Sequence, residues 1–354
     1  MTTASSHQPT RYGRIYAPDE AWLAKAAPEP ILEPELPIID THHHLWVRPG
    51  GQRYLLDEFL ADINTGHNIV ATVFAQCHAM YRATGPEEMK PLGETEFVTG
   101  IAAMSDSGGY GRTRIAAGIV GYADLTLGDR AAEVLEAHMQ ASGGRFRGVR
   151  HSAAYDADPV IGNGHPAPGL LGRADFRQGL KRLTQLGLSF DLWCFHPQLP
   201  EAVDLVRANP DANFILGHCG GPLGYGPYAG RTEETYAFWK AQMTELARHP
   251  NVSVKLGGMM MRLAAYDYGT LPAPPSSAEL ADYWRPWIET CIELFGAERC
   301  LFESNFPVEK MGIGYAALWN AFKRLAAGAS AAEKLALFSG TARRVYRLPE
   351  GDAA

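Results

Sequence analysis

Short β-branched and aromatic runs alternate with longer amphipathic stretches along most of this 354-residue chain. That alternation is the pattern of βα units around a parallel sheet. Eight such runs can be read, at residues 38–44, 69–78, 114–125, 146–151, 188–195, 213–219, 252–256 and 300–306. Helical periodicity is clearest over 131–140, 177–186, 283–295, 315–325 and 331–346, with a turn expected at 339–342 leading into the last helix. Eight strands with helices between them predict an α/β fold, a closed (β/α)₈ TIM barrel. Before the first run, Pro28, Pro30, Pro34 and Pro37 break up periodicity apart from a short helix expected near 19–26. Residues 1–37 therefore read as an arm over the body or over a neighbouring subunit of a homo-oligomer, 38–348 as the barrel, and 349–354 as a tail.

Connections are uneven. Long ones follow the second run (79–113), the fourth (152–175), the sixth (220–235) and the seventh (257–277). Loops that follow barrel strands build the active-site face, so extra length there predicts a covered pocket. The glycine-rich stretch 220–227 is the candidate lid, against the plainer reading of a surface loop.

Bulk properties exclude several classes. A net charge of −7 gives nucleic acid or an anionic membrane no electrostatic footing, and no basic stripe offsets it. The polar start lacks the apolar core of a secretory signal and no apolar run reaches spanning length, so a cytoplasmic protein acting on a small molecule is expected. Cys77, Cys194, Cys219, Cys291 and Cys300 are odd in number and lack CxxC spacing, which argues for buried thiols rather than a disulfide frame or zinc ribbon.

The chemistry gathers at the ends of the runs. In Ile38-Ile39-Asp40-Thr41-His42-His43-His44, strand alternation puts Asp40, His42 and His44 on one face, a two-nitrogen claw. Three adjacent histidines also occur as an exposed polar loop, and context decides between these readings. In a barrel the later strand ends converge with His42 and His44: Gln76 and His78; Arg147, Arg150 and His151; Asp191, Trp193 and His196; His218; Lys255; Glu303 and Asn305. His78, His151 and His196 are equally readable as loop histidines satisfied by hydrogen bonds. Arg147 and Arg150 face opposite sides, and the parity of Lys255 turns it inward.

In order, DTHHH, FRGVRH, LGHCGGP, VKLGG and FESNFP resemble the amidohydrolase superfamily, and within it the amidohydrolase-related branch with lactonases of pyrone dicarboxylates and sugars. The resemblance covers about 38–348. It implies a barrel in which His42, His44 and His218 bind a divalent metal, commonly zinc, or polarise the scissile carbonyl without one. It implies a lactone or cyclic-amide hydrolase, with Arg150 or Lys255 holding substrate carboxylates. The converging strand ends and the glycine-rich segment add His151, Asp191, Trp193, His196 and Tyr225 as residues around the substrate. Manganese is an equal candidate where the assured ligands are nitrogens.

The chain departs from that pattern at one position. The family carries an aspartate as base in a Ser-Asp-aromatic-Pro segment of strand eight, and here the segment is Ser304-Asn305-Phe306-Pro307. Asparagine cannot take the proton. The base has moved, to Glu303 or Asp191, or water is activated otherwise, or the reaction is a metal-dependent decarboxylation or hydration. A binding protein on a degenerate enzyme fold is a further reading of Asn305.

Overall fold

The computed structural model describes residues 14–48, 52–260 and 267–349. The polar start of the arm and the tail beyond 349 lie outside them. Among the described residues there are ten strands: β1 Ile38–His43, β2 Trp46–Arg48, β3 Gln52–Tyr54, β4 Ile69–Ala75, β5 Arg114–Gly121, β6 Phe146–Val149, β7 Ser189–Leu192, β8 Asn213–Leu216, β9 Val252–Leu256 and β10 Cys300–Phe302. Eight form one parallel sheet in the order β1-β4-β5-β6-β7-β8-β9-β10, while β2 and β3 pair antiparallel beside it. The sheet closes between β1 and the segment after β10, where His43 bridges Phe306 and Asn305 N–H donates to the His42 carbonyl at 2.8 Å. The expected (β/α)₈ barrel is what the chain forms.

The barrel floor is packed rather than open, as layers of inward side chains from alternate strands require. Ile39, Val73, Ala117, Val120, Ile215 and Leu301 meet Ala342, Val345, Tyr346 and Leu348 from the chain's last helical segment. A much larger apolar cluster fills the space between strands and helices. The described part of the arm lies over the body: Trp22 is buried with its indole N–H on the Leu271 carbonyl at 2.9 Å, and Lys323 Nζ donates to the carbonyls of Leu32 and Glu33. Its short helix, Glu20–Leu23, is capped by Asp19.

Two expectations need correction, and one helix was not read in the sequence. The long connection after β4 carries helix Leu92–Asp106. Its buried face includes Glu94, Thr95 and Ser105, which blur the apolar period that marks a helix in sequence. The turn expected at 339–342 is instead a π-helical segment, Ala336–Gly340, running straight into helix Thr341–Val345. Asp40 does not share the face of His42. The register of β1 against β4 slips between Asp40 and His43, and Asp40 accepts from Ser304 Oγ at 2.6 Å and from Tyr315 Oη of the outer helix Tyr315–Leu325 at 2.9 Å. Burial raises its carboxyl to about 6 despite those bonds.

Candidate active site

Strand ends of β1, β6, β7, β8, β9 and β10 bring one compact group together. Glu303 is fully buried, one residue beyond β10, and its two oxygens take two imidazoles: Oε1 lies 2.5 Å from His218 Nδ1 and Oε2 lies 2.9 Å from His42 Nδ1. His44 Nδ1 lies 2.7 Å from the carbonyl of Ala75. His218 and His44 thus have Nδ1 against an acceptor, which places the ring proton there, while His42 Nδ1 stands between Glu303 Oε2 and the Lys255 ammonium, 3.3 Å away. Burial first, and then the Lys255 ammonium, holds the His42 imidazole well below its usual range; burial and then Arg150 do the same for His44. Burial pushes the Glu303 carboxyl upward, but the imidazoles of His218 and His42 outweigh it and keep that group ionised.

Backbone geometry makes room for this group. His218, Cys219, Gly220 and Gly221 all have positive φ, so the chain curls tightly after β8. A Cβ at Gly258 would stand 2.0 Å from His218 Nδ1 and one at Gly257 would stand 2.6 Å from Glu303 Cγ. The Gly-Gly of VKLGG is therefore the space into which the His218–Glu303 pair fits.

Cations flank the histidines. Lys255, turned inward as its parity predicts, donates to the Thr41 carbonyl and pairs with Asp191 Oδ2, each at 2.9 Å, and lies 3.8 Å from Glu303. Asp191 also accepts from Tyr346 Oη at 2.7 Å. Lys255 is thus already paired, and Asp191 is its counter-ion. Arg150 Nη1 approaches His42 Nε2 at 3.0 Å, while Nη2 donates to the Gln76 carbonyl. Arg147 points to the other end of the barrel, onto the Gly144 carbonyl.

The remaining candidates sit around this group. Trp193 packs edge-on against His218 with ring centroids 4.6 Å apart. His151 and Gln76 line an adjoining cavity of about 270 Å³ together with Tyr122 and His165. His151 accepts from Leu125 N–H, and burial lowers its imidazole to about 4. His196 faces elsewhere: it accepts from Leu223 N–H at 3.2 Å and packs on Tyr228 and Phe238, so it holds the glycine-rich segment in place. That segment is a packed wall, with Leu223 and Tyr225 buried against Ile161 and Phe195. Asn305, at φ 53°, has left the strand, and its amide donates to Glu309 at 3.2 Å. Glu309 is a buried carboxyl raised by burial to about 8, and sequence reasoning missed it. Its one signal was an acid beside Lys310 in the mainly apolar stretch 306–313.

The donor set suits a cation. His42 and His44 present Nε2 atoms 3.2 Å apart, and two neutral lone pairs at that separation repel unless something positive lies between them. A tetrahedral zinc ion with Zn–N near 2.0–2.1 Å sets its nitrogens about 3.3–3.4 Å apart. His42, His218 and Glu303 form a second candidate group, with ligand atoms within 4.8 Å of one another.

Comparison with known proteins places the chain. The amidohydrolase family model matches residues 39–348. A protein of Sinorhizobium fredii with no assigned activity is 32% identical over 89% of this chain and 99% of its own length. An L-fucono-1,5-lactonase of Burkholderia multivorans is 28% identical over 88% of this chain and 96% of its own. Crystal structures of a Burkholderia multivorans amidohydrolase, one with bound zinc, are 25% identical and cover 88% of this chain and 99% of theirs with a TM-score of 0.68. Among the described residues no helix is long and apolar enough to cross a membrane. The chain belongs to the amidohydrolase family and is an amidohydrolase-type hydrolase.

Proposed function

We propose that this enzyme opens a small lactone at the barrel mouth, with the His218–Glu303 pair as general base. The observation that carries the reading is the Glu303 carboxylate bridging the Nδ1 atoms of His42 and His218. A carboxylate on Nδ1–H holds an imidazole in the tautomer that accepts a proton at Nε2 and stabilises the imidazolium that results. The pair does the work that Asn305 cannot. Water delivers its proton to His218 Nε2 and adds to the lactone carbonyl, and Arg150 supplies a buried positive charge for the oxygen on which negative charge develops; the ring C–O bond then breaks and the His218 imidazolium returns the proton to the leaving ring oxygen. His42 and His44 would hold a divalent metal, zinc by the chemistry of nitrogen donors and by the zinc-bound relative; when bound it would polarise the carbonyl and acidify water. The cavity beside Gln76, Tyr122 and His151 takes the ring substituents.

The relatives named as L-fucono-1,5-lactonases support a sugar lactone as the first substrate to try. The test is a panel of sugar 1,5-lactones and carboxylated lactones, followed by proton release and by NMR of the product. A ring-opened acid from at least one lactone, lost in His218→Ala, is the expected result. Asn305 also favours a second reading, decarboxylation of a small carboxylated substrate. Carbon dioxide as product, with no lactone turned over, would replace the first reading with that one.

A further inference from the structure

His42 has one nitrogen to offer a cation, and Arg150 is already on it. Its Nδ1 is enclosed by Glu303 Oε2 at 2.9 Å and the Lys255 ammonium at 3.3 Å, so only Nε2 remains, and Arg150 Nη1 lies 3.0 Å from that atom. The guanidinium is not there by chance of a flexible side chain. Nη2 is anchored on the carbonyl of Gln76, and the residue sits directly after β6, where its backbone N–H donates to the Gly121 carbonyl at 2.9 Å. One imidazole lone pair cannot serve a guanidinium N–H and a metal ion together.

The charges agree with the geometry. The carboxylates Glu303 and Asp191 stand against the cations Lys255 and Arg150, so the group is balanced before any metal arrives. A divalent ion entering beside Arg150 meets a fixed positive charge in a buried setting, where repulsion is poorly screened. Asn305 in place of a carboxylate removes the negative ligand that would offset it.

We propose that Arg150 is a resident cation that competes with metal for His42 Nε2, so that the two are alternative partners of His42 and metal enters only by displacing the guanidinium. This rests on His42, His44 and Arg150 being the reacting group assigned above, but it is read out by metal binding alone and needs no substrate. It makes the strength of metal binding a property set by Arg150 rather than by the histidines. It also gives the protein two forms of the same site, one charged by guanidinium and one by metal.

The test is zinc titration against a chromophoric chelator, with metal-free wild-type protein beside Arg150→Met and with thermal unfolding to verify that the variant is folded. The variant is expected to bind zinc at least tenfold more tightly than the wild type. Equal or weaker binding by the folded variant, or no zinc bound by either protein, overturns the proposal. Should Arg150→Met fail to fold, a crystal of the wild type soaked in zinc decides. Zinc on Nε2 of His42 with Arg150 swung out of hydrogen-bond range is the expected result. Zinc seated among His218, Glu303 and His42 Nδ1, with Arg150 still on His42, or no zinc at all, overturns it. Absence of lactone turnover would remove the proposed function and leave these outcomes unchanged.

Discussion

Two populations of buried histidine in this molecule differ in a single respect. His138 and His67 have both ring nitrogens engaged: His138 with Thr95 Oγ1 and the Tyr122 carbonyl, His67 with Lys323 Nζ and the Ala316 carbonyl. In each ring one nitrogen donates to a carbonyl and the other accepts, so nothing is left for a ligand. At the mouth, His42 and His218 share the Glu303 carboxylate, and the Nε2 atoms of His42 and His44 face each other, with Arg150 on that of His42. Burial lowers the imidazoles of both kinds where it is resolved, as at His138, to about 4, and at His42. Burial alone therefore does not set the mouth group apart. The pattern of partners does, because the mouth rings meet one another, a shared carboxylate and a guanidinium, whereas His138 meets only a hydroxyl and a carbonyl.

The sharpest way to break this contrast is to remove one ring of each kind. His218→Ala should lower kcat/KM on a lactone substrate by about 10³-fold or more, as loss of a general base and its positioned pair does. Its melting temperature should move little. His138→Ala should do the reverse, with unfolding free energy lower by about 2–4 kcal/mol and turnover per folded molecule kept. Equal effects on turnover would mean that the two populations are not functionally distinct.

A smaller effect comes from the group that creates the contrast. Glu303→Gln presents one oxygen and one amide where both Nδ1 atoms faced a carboxylate, so one ring loses its oxygen partner. A fall in kcat of about 10–100-fold with KM little changed is expected from a partner that orients rather than binds. Retention of full activity would show that the tautomers are held by something else.

The smallest effect concerns Glu309, the acid beside Asn305. Its folded value of about 8 stands above the ordinary carboxyl value of 4.5, so the native state holds a proton that the unfolded chain has released. Stability from this group is full below about pH 4.5 and is lost as pH rises toward 8. Glu309→Gln carries no such proton. Unfolding by urea at pH 5 and pH 8 should show the variant gaining on the wild type at the higher pH by on the order of 2–4 kcal/mol. A difference independent of pH would place the Glu309 carboxyl in its ordinary range.

Much of the fold was legible because its signals are local. Each of the eight barrel strands falls inside a run of β-branched or aromatic residues, and β9 occupies the same residues as its run. The runs overshoot the other seven barrel strands at their carboxyl ends by one to four residues, because the sequence pattern continues into the site residues while the backbone turns away. Asn305 at φ 53° is the clearest case. The inward turn of Lys255 followed from parity in a regular strand. The same rule failed for Asp40, because a register slip in β1 depends on the neighbouring strand and leaves no mark in its own sequence. Which candidates hold hands was also hidden. Glu303 with two histidines, Lys255 with Asp191, and Glu309 with Asn305 are contacts between residues chosen by topology; of these only Glu309 and Asn305 are near in sequence.

Tyr346 reaches up from the floor to donate to Asp191, the counter-ion of Lys255. Its neighbours Val345 and Leu348 fill the bottom of the barrel below the reacting group. On a ribosome the chain is made from the arm onward, so the strand that carries His42 and His44 exists long before the residue that completes the ion pair beside them. A nascent chain ending short of Tyr346 would have every mouth histidine and still lack the support beneath Lys255. The support beneath Lys255 is thus completed only when the barrel is.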